Sequence, residues 1–312
     1  MRVYLDRLAT PCAKVTAMRI HRSWSVFTVV LLGLVAGCVR LDETQALVKA
    51  ERYDDAFPKV TLLAKYGDPK AQNLLGWLYE NGYGAPRDIA EAARWYRKAA
   101  DQGLPLAQNN LGILYREGRG VSKDLAEAAR WFDRAATAGY VEAINNLGVM
   151  YDHGQGLPEN NAEAVRLFEK AAKENLGRAK TNLGLMYQRG EGVPQNIAIA
   201  RKYFEEASAD GDLQGRMQLG VLMLAGSGGR KDPETAKTLL ESAALGGEPR
   251  AAYQLALAAS EKVESYAWLN LAASAGDQPS IEMRNRLRGE LSEELLAAAE
   301  ARSTELAKRK KS

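Results

Sequence analysis

Residues able to perform chemistry are scarce in this chain. Its 312 residues include two cysteines, Cys12 and Cys38, and two histidines. A disulfide framework or a thiolate metal site needs more thiols than these. The scarcity argues against the disulfide-stapled scaffolds and against metal and redox enzymes, so we expect no metal and no cofactor.

A dominant charge of one sign is also lacking. Residues 1–37 carry five of the 42 basic and one of the 39 acidic residues, which leaves 37 basic and 38 acidic residues in the remainder. A protein that binds nucleic acid through a basic patch should stay clearly basic. We therefore expect no nucleic-acid partner, and the basic run at residues 308–311 is interpreted as a solvated tail.

Proline and strand patterns are sparse as well. The chain has ten prolines, and no run of alternating valine or isoleucine is present, whereas alanine is abundant. This composition predicts an all-helical protein.

One phrase recurs along the chain at a constant interval of 36 residues. It surrounds Gly76, Gly112, Gly148, Gly184 and Gly220, and its second copy reads NNLGILYREGRG. Self-similarity at such a period is the signature of stacked repeat architectures, in which each unit contacts only its neighbours.

Each copy predicts a pair of helices. Apolar spacing indicates a first helix over residues 69–81. Gly76 lies inside it, where glycine costs about 0.5–1 kcal/mol relative to alanine, so its recurrence indicates an approach too close for a Cβ. Gly82 and Gly84 are expected to end this helix and turn the chain.

Caps mark the second helix of each unit. Asp88, Asp124 and Asn160 are each followed three residues later by glutamate, which predicts a reciprocal capping box. The second helices are expected to close on residues that tolerate a left-handed conformation, namely Gly103, Gly139, Asn175, Gly211 and Gly247.

The repeated unit resembles the Sel-1-like repeat, a relative of the tetratricopeptide repeat. Residues 107–139 carry its pattern almost position for position, and the resemblance covers residues 51–276. It implies an α-solenoid, a right-handed superhelix of tandem helix–turn–helix units. Residues 51–64 are expected to be the second helix of a degenerate opening unit.

The array changes at its carboxyl end. After Ala251 the alanine pair returns 29 residues later instead of 36, because the Gly-x-Gly turn is missing. Residues 277–312 are predicted to hold a capping helix from about Ile281 to Lys308 and a basic tail. Its leucines Leu287, Leu291, Leu295 and Leu296 are available to cover the last repeat.

The amino terminus resembles a bacterial lipoprotein signal. Arg19 and Arg22 precede an apolar stretch too short to span a bilayer well, which ends in Val35-Ala36-Gly37-Cys38. The resemblance implies that residues 1–37 are removed, with Met18 a possible start, that Cys38 is lipidated, and that residues 38–50 form a linker. Val39 after the cysteine implies the outer membrane facing the periplasm. An ordinary signal peptide or an uncleaved anchor, giving a secreted or periplasmic protein, is the alternative.

No catalytic group is predicted. Beyond the signal segment the one histidine is His153, which occupies a turn position held by Asn81, Glu117 and Arg189 in other units. It is interpreted as a solvated turn residue because a site needs converging partners. We therefore predict that the protein is not an enzyme.

Positions that vary between repeats are the candidate partner contacts. They lie on the first helices, which line the concave face in the family, and they include amide side chains that suit peptide or carbohydrate groups. The candidates are Asn73, Asn109, Asn110, Asn145, Asn146, Arg178, Thr181 and Asn182. Bridging of neighbouring helices by the asparagines is the other interpretation.

The predicted function is a protein–protein interaction scaffold of the bacterial cell envelope, bound to the membrane through lipid on Cys38. Two alternatives remain open at this point. One is an envelope hydrolase or penicillin-binding activity, and the other is a structural lipoprotein associated with peptidoglycan or polysaccharide, with glycan as the partner.

Overall fold

The computed structural model describes residues 40–311, and the signal segment expected over 1–37 and the lipidation expected at Cys38 lie outside this range. Sixteen helices occupy the described residues, and no strand occurs among them. They are α1 Leu41–Lys49, α2 Tyr53–Lys65, α3 Pro69–Asn81, α4 Ile89–Asp101, α5 Pro105–Glu117, α6 Leu125–Thr137, α7 Val141–Asp152, α8 Asn161–Lys173, α9 Gly177–Arg189, α10 Ile197–Ala209, α11 Leu213–Ala225, α12 Pro233–Leu245, α13 Pro249–Ala258, α14 Lys262–Ser274, α15 Gln278–Glu290 and α16 Glu293–Lys311.

The helices form two compact units, one ending at Pro158 and the other beginning at Glu159. Within each unit, successive helices pack as antiparallel pairs, so the predicted all-α repeat architecture is confirmed. None of the helices in residues 40–311 combines the length and the apolar character that a bilayer-spanning segment requires.

The glycine inside each first helix faces the second helix of its own pair. A Cβ built on Gly112 would lie 2.8 Å from Cε1 of Phe132, and one on Gly76 would lie 2.8 Å from Cδ1 of Tyr96. Gly184 meets Phe204 in the same way. The predicted close approach is therefore confirmed at these three glycines, where a buried ring fills the Cβ space, and at Gly220, where Leu240 fills it.

The Gly-x-Gly turn connects the two helices of one pair and packs against the preceding pair. Gly118 and Gly120 adopt φ values of 72° and 67°, as expected for left-handed glycines. A Cβ on Gly120 would lie 2.4 Å from the carbonyl oxygen of Ile89, the first residue of α4. The turn thus lies directly on the start of the preceding second helix.

Only half of the predicted capping box forms. Oδ1 of Asp124 accepts a hydrogen bond from the amide of Glu127 at 2.9 Å, as expected. The amide of Asp124, however, donates to the carbonyl of Tyr115, and the Glu127 carboxylate accepts from Arg130 instead of reaching back. The carbonyl of Tyr115 thus accepts from the Asp124 amide, which the glutamate carboxylate would satisfy in a reciprocal capping box.

The second helices end as predicted. Gly103, Gly139, Asn175, Gly211 and Gly247 all have positive φ, between 59° for Asn175 and 107° for Gly247. Asparagine replaces glycine at the third of these positions because its short polar side chain tolerates the left-handed region.

The amino-terminal linker predicted over 38–50 differs from the structure. Leu41–Lys49 forms α1, and Val48 on it is fully buried against Val60 of α2 and Leu75 of α3. This burial gives a short amphipathic segment enough tertiary support to be helical. The opening unit is therefore a helix pair, since α2 covers most of the predicted 51–64 segment.

The single capping helix predicted at the carboxyl end is also corrected. The segment breaks at Leu291, which is extended, and the hydroxyl of Ser292 accepts from the amide of Leu295 to start α16. The residue that covers the last repeat is Leu306, which is fully buried, together with Leu287 on α15. Leu295 is 45% exposed and does not serve this role.

Candidate functional site

The inner asparagines of the first helices are structural bridges. In the first unit, Nδ2 of Asn110 donates to Oδ1 of Asn73 at 3.0 Å, and Nδ2 of Asn146 donates to Oδ1 of Asn109 at 2.9 Å. Asn73, Asn109 and Asn145 are buried, so a partner has no surface of these side chains to touch. Helix bridging, the second interpretation from the sequence, describes them.

Thr181 is likewise buried and serves a helix start. Its hydroxyl donates to Oδ2 of Asp212 at 2.6 Å, and the same oxygen accepts from the amide of Gly215 at 2.8 Å. Asp212 is the N-cap of α11, so Thr181 connects α9 to the beginning of the next first helix.

A row of buried and half-buried donors was not predicted from the sequence. Gln72 and Gln108 donate to carbonyl oxygens eight residues earlier, on Ala64 and Ala100, and Arg216 does the same to Ser208. These carbonyls belong to the last turns of second helices, where intrahelical partners run out. These positions recur at multiples of 36 residues, which could have revealed their common role. The change from glutamine to arginine along the series obscured it.

Lys180 occupies the same register in the second unit with a different partner. Its ammonium nitrogen lies 2.7 Å from the carboxylate of Asp210 and 3.7 Å from that of Glu206, and its side chain is almost fully buried. It is therefore an ion-paired element of the packing between α9 and α10. Arg178, two residues earlier, is exposed.

The surface left on the first helices alternates amide and apolar side chains. In the first unit, Asn110 and Ile113 on α5 and Asn146 and Val149 on α7 are half-buried and one helical turn apart. In the second unit, Asn182 and Leu185 on α9 repeat the pair. We call these six residues, four in the first unit and two in the second, the first-helix stripe. Its three asparagines belong to the predicted contacts, whereas Ile113, Val149 and Leu185 were not predicted.

Potential metal ligands do not converge in residues 40–311. No cluster of three or more potential ligands forms there. His153 follows α7 in an exposed turn, with Nδ1 3.3 Å from the carboxylate of Asp152.

The amino-terminal pairs carry an aromatic group. The rings of Tyr53 and Tyr83 stack with centroids 4.2 Å apart, and Trp77 lies 5.2 Å from Tyr83. All three side chains are half-buried, so each ring keeps part of its surface in solvent.

Comparisons with known proteins place these features in a family. The pattern described as Sel1 repeat matches six consecutive segments, at residues 69–104, 105–140, 141–176, 177–212, 214–248 and 249–277. No curated protein matches the chain.

Two solved structures are similar in fold and sequence. The Sel1 repeat protein from Oxalobacter formigenes is 31% identical with a TM-score of 0.69, over 74% of this chain and 95% of that one. The protein c5321, described as a protective antigen present in uropathogenic Escherichia coli strains displaying an SLR fold, is 28% identical with a TM-score of 0.62. That match covers 88% of this chain and 64% of c5321.

The six repeats, the helix pairs and the similarity to solved repeat proteins agree. Sel1 repeats generally mediate protein–protein interaction. This chain is a member of the Sel1 repeat family.

Proposed function

We propose that the protein is a non-enzymatic interaction scaffold of the cell envelope that holds a protein partner on the first-helix stripe. The observation that carries the proposal is the stripe itself, in which half-buried apolar and amide side chains recur on successive first helices. Partly exposed apolar groups beside amides suit a peptide segment, because they bury its side chains while satisfying its backbone.

The envelope location rests on the amino-terminal segment. Residues 19–38 carry a basic start, a short apolar stretch and a cysteine after small residues. Lipid on Cys38 would hold the chain at the outer membrane, since several acyl chains anchor firmly where one binds only marginally. The related c5321 is described as a protective antigen, which supports a location in the cell envelope.

Site-specific crosslinking in cells tests the partner face. A photoreactive phenylalanine analogue at Ile113 in the first unit is expected to give a discrete adduct with one envelope protein, and the same analogue at Leu185 tests the stripe residues of the second unit by themselves. Asp133, exposed on the second helix α6, is the matched control position and should give no adduct. Equal labelling from Asp133, or no adduct from Ile113 and Leu185, would reject the stripe.

A variant of the lipidation residue tests the location. Cys38→Ser should abolish lipid labelling and move the chain from the outer-membrane fraction to a soluble one. Continued lipid labelling of the variant would refute the proposed anchor.

A glycan-associated structural role is the second candidate. The partly exposed rings of Tyr53, Trp77 and Tyr83 favour it, because aromatic faces offer apolar area to flat ligands. Sedimentation with purified peptidoglycan distinguishes the two roles. Retention that is lost on Trp77→Ala, together with no protein adduct from Ile113, would favour the glycan.

A further inference from the structure

The Gly-x-Gly turns pack at the same position in every repeat that has one. Each one lies on the first residue of the preceding second helix, where a Cβ on the second glycine would collide with backbone. Measured from such a Cβ, the carbonyl oxygen would lie 2.4 Å away at Gly120, 2.3 Å at Gly156, 2.4 Å at Gly192 and 2.6 Å at Gly228. Only glycine can approach a helix start this closely.

The start of α12 has no such turn above it. The next first helix, α13, ends at Ala258, and residues 259–261 connect it directly to α14. In the space beside Pro233, the first residue of α12, a cleft of about 500 Å³ is open. The second helices α2, α4, α6, α8 and α10 each have a Gly-x-Gly turn packed on their first residue, whereas α12 has none.

The cleft has a mixed lining, in which apolar side chains lie beside the charged residues Glu234, Lys237 and Glu261. The apolar part includes Leu224 of α11, Leu255 of α13 and Trp268 of α14.

In three complete repeats the residue after the second glycine is Val121, Leu157 or Val193, whereas Gly229 follows Gly228. Val121 packs inward against the cluster that contains Ala92 and Trp131. The apolar part of the lining therefore matches a turn whose second glycine is followed by an apolar residue.

A cation on α12 is placed to hold the backbone of such a turn. On α10, the guanidinium of Arg201 donates to the carbonyl of Arg230 in the turn that covers that helix, at 3.1 Å. Lys237 lies one 36-residue period after Arg201 and lines the cleft. Its ammonium group is a donor for the corresponding carbonyl of an incoming segment.

One wall of the cleft is held by an ion pair. Nε of Arg302 donates to Oε2 of Glu264 at 2.9 Å, and the indole nitrogen of Trp268 donates to Oε1 of the same carboxylate at 2.9 Å. These bonds orient Trp268 and keep α16 against α14.

We propose that this cleft binds a turn of the form Gly-x-Gly followed by an apolar residue, supplied by a partner protein. A second copy of this chain is a poor source, because all five of its own Gly-x-Gly turns already lie on its own helices. The inference rests on the proposed scaffold function but uses a surface separate from the first-helix stripe.

The test uses the chain's own turn as the ligand. A peptide of residues 189–196, which reads RGEGVPQN, is titrated into the full chain in detergent micelles after labelling with 5-fluorotryptophan. Trp268 is one of five tryptophans, and Trp268→Phe assigns its fluorine resonance. We expect a saturable shift of this resonance and no shift of the others.

The matched peptide carries alanine at the position of Gly192. Its added Cβ should collide with the α12 backbone, so we expect at least tenfold weaker binding. Ala258→Phe, which fills the cleft, should abolish the shift, whereas Leu257→Phe at an exposed site outside the cleft should leave it intact. Lys237→Ala should weaken binding without abolishing it.

Two results would overturn the inference. One is the absence of any Trp268 shift with peptide in the millimolar range, and the other is an equal shift with both peptides. Crosslinking at Ile113 is an independent measurement, so its adduct should persist in Ala258→Phe. The cleft and the first-helix stripe can therefore fail separately.

Discussion

At the scale of single residues, the repeated glycines have two distinct roles. Those inside first helices leave room for a buried side chain, a ring at Gly76, Gly112 and Gly184, whereas those in the turns allow a left-handed backbone against a helix start. The first role depends on the size of the neighbouring side chain, and the second depends on the backbone conformation of the glycine itself. Shrinking the neighbouring side chain should therefore restore stability to an alanine variant of the first kind but not of the second.

Gly112→Ala tests the first role. Its Cβ would lie 2.8 Å from Cε1 of Phe132, whose side chain is fully buried, so we expect the free energy of unfolding to fall by about 1–3 kcal/mol. Gly289→Ala is the control, since it lies in a helix with nothing within 4 Å of the new Cβ. It should raise stability by about 0.4–1 kcal/mol.

Urea denaturation followed by far-UV circular dichroism measures both variants. Combining Gly112→Ala with Phe132→Leu should recover part of the loss, because the smaller side chain yields space. Similar effects of the two alanine substitutions would contradict a packing role for Gly112.

The role of a position could be predicted from the sequence only where its residue type is constant through the repeats. Gly76 and Asp124 keep one residue type or one chemistry through the array, so their roles were readable from sequence. Gln72, Gln108 and Arg216 share one role with different side chains, and Asn109 offers its amide equally to a neighbour or a partner. The structure is needed to tell which partner each side chain has, since its burial is decided by the adjacent helix.

At the scale of elements, predictions succeeded where a signal was local. The first helix over 69–81 and the left-handed ends of the second helices depend on neighbouring residues, and both are confirmed. The helix at Leu41–Lys49 depends on burial of Val48 by later helices, which a short segment does not reveal. The break at Leu291 was signalled by Ser292, whose capping role the leucine spacing obscured.

The attachment of α16 to α14 should depend on pH. Hydrogen bonding by Arg302 lowers the pKa of Glu264 below its ordinary value. A carboxylate with a depressed folded-state pKa stabilises the fold above its unfolded pKa of about 4.3, and the contribution disappears as the pH falls through the lower folded value. Acid should therefore weaken this attachment.

Glu264→Gln isolates the effect. At neutral pH the variant should be less stable than the wild-type chain, and the difference should shrink as the pH falls through the depressed pKa of Glu264. Glu300→Gln, an exposed change on α16, should track the wild-type chain at each pH. A difference between Glu264→Gln and wild type that stays constant through the acid range would exclude the pKa argument.

At the scale of the whole molecule, the array explains how one chain can carry separate binding surfaces. Stability in stacked repeats is close to a sum of repeat terms and nearest-neighbour terms. The loss of one turn at α12 therefore opens a cleft without requiring the rest of either unit to change. Variation at exposed positions of the first helices is tolerated for the same reason.

Because each repeat is stabilised mainly by its neighbours, a destabilising substitution in α16 should affect only the helices near it. Leu306→Ala removes a fully buried side chain from the cluster that contains Leu240, Leu255 and Trp268, which should cost about 2–4 kcal/mol locally. Amide hydrogen exchange should accelerate in the last helices, from Pro233 onward. Exchange in α3–α6 should remain at the wild-type rate, because coupling decays from repeat to repeat.

Leu295→Ala on the same helix is the control, since Leu295 is 45% exposed and its truncation should change stability by about 0.5 kcal/mol or less. Uniform acceleration over all described helices in Leu306→Ala would mean that the array unfolds as one cooperative block. In that case damage at the carboxyl end would also impair the first-helix stripe. A local response instead leaves crosslinking at Ile113 unchanged while peptide binding at the cleft is lost, which makes the two surfaces separable by a single substitution.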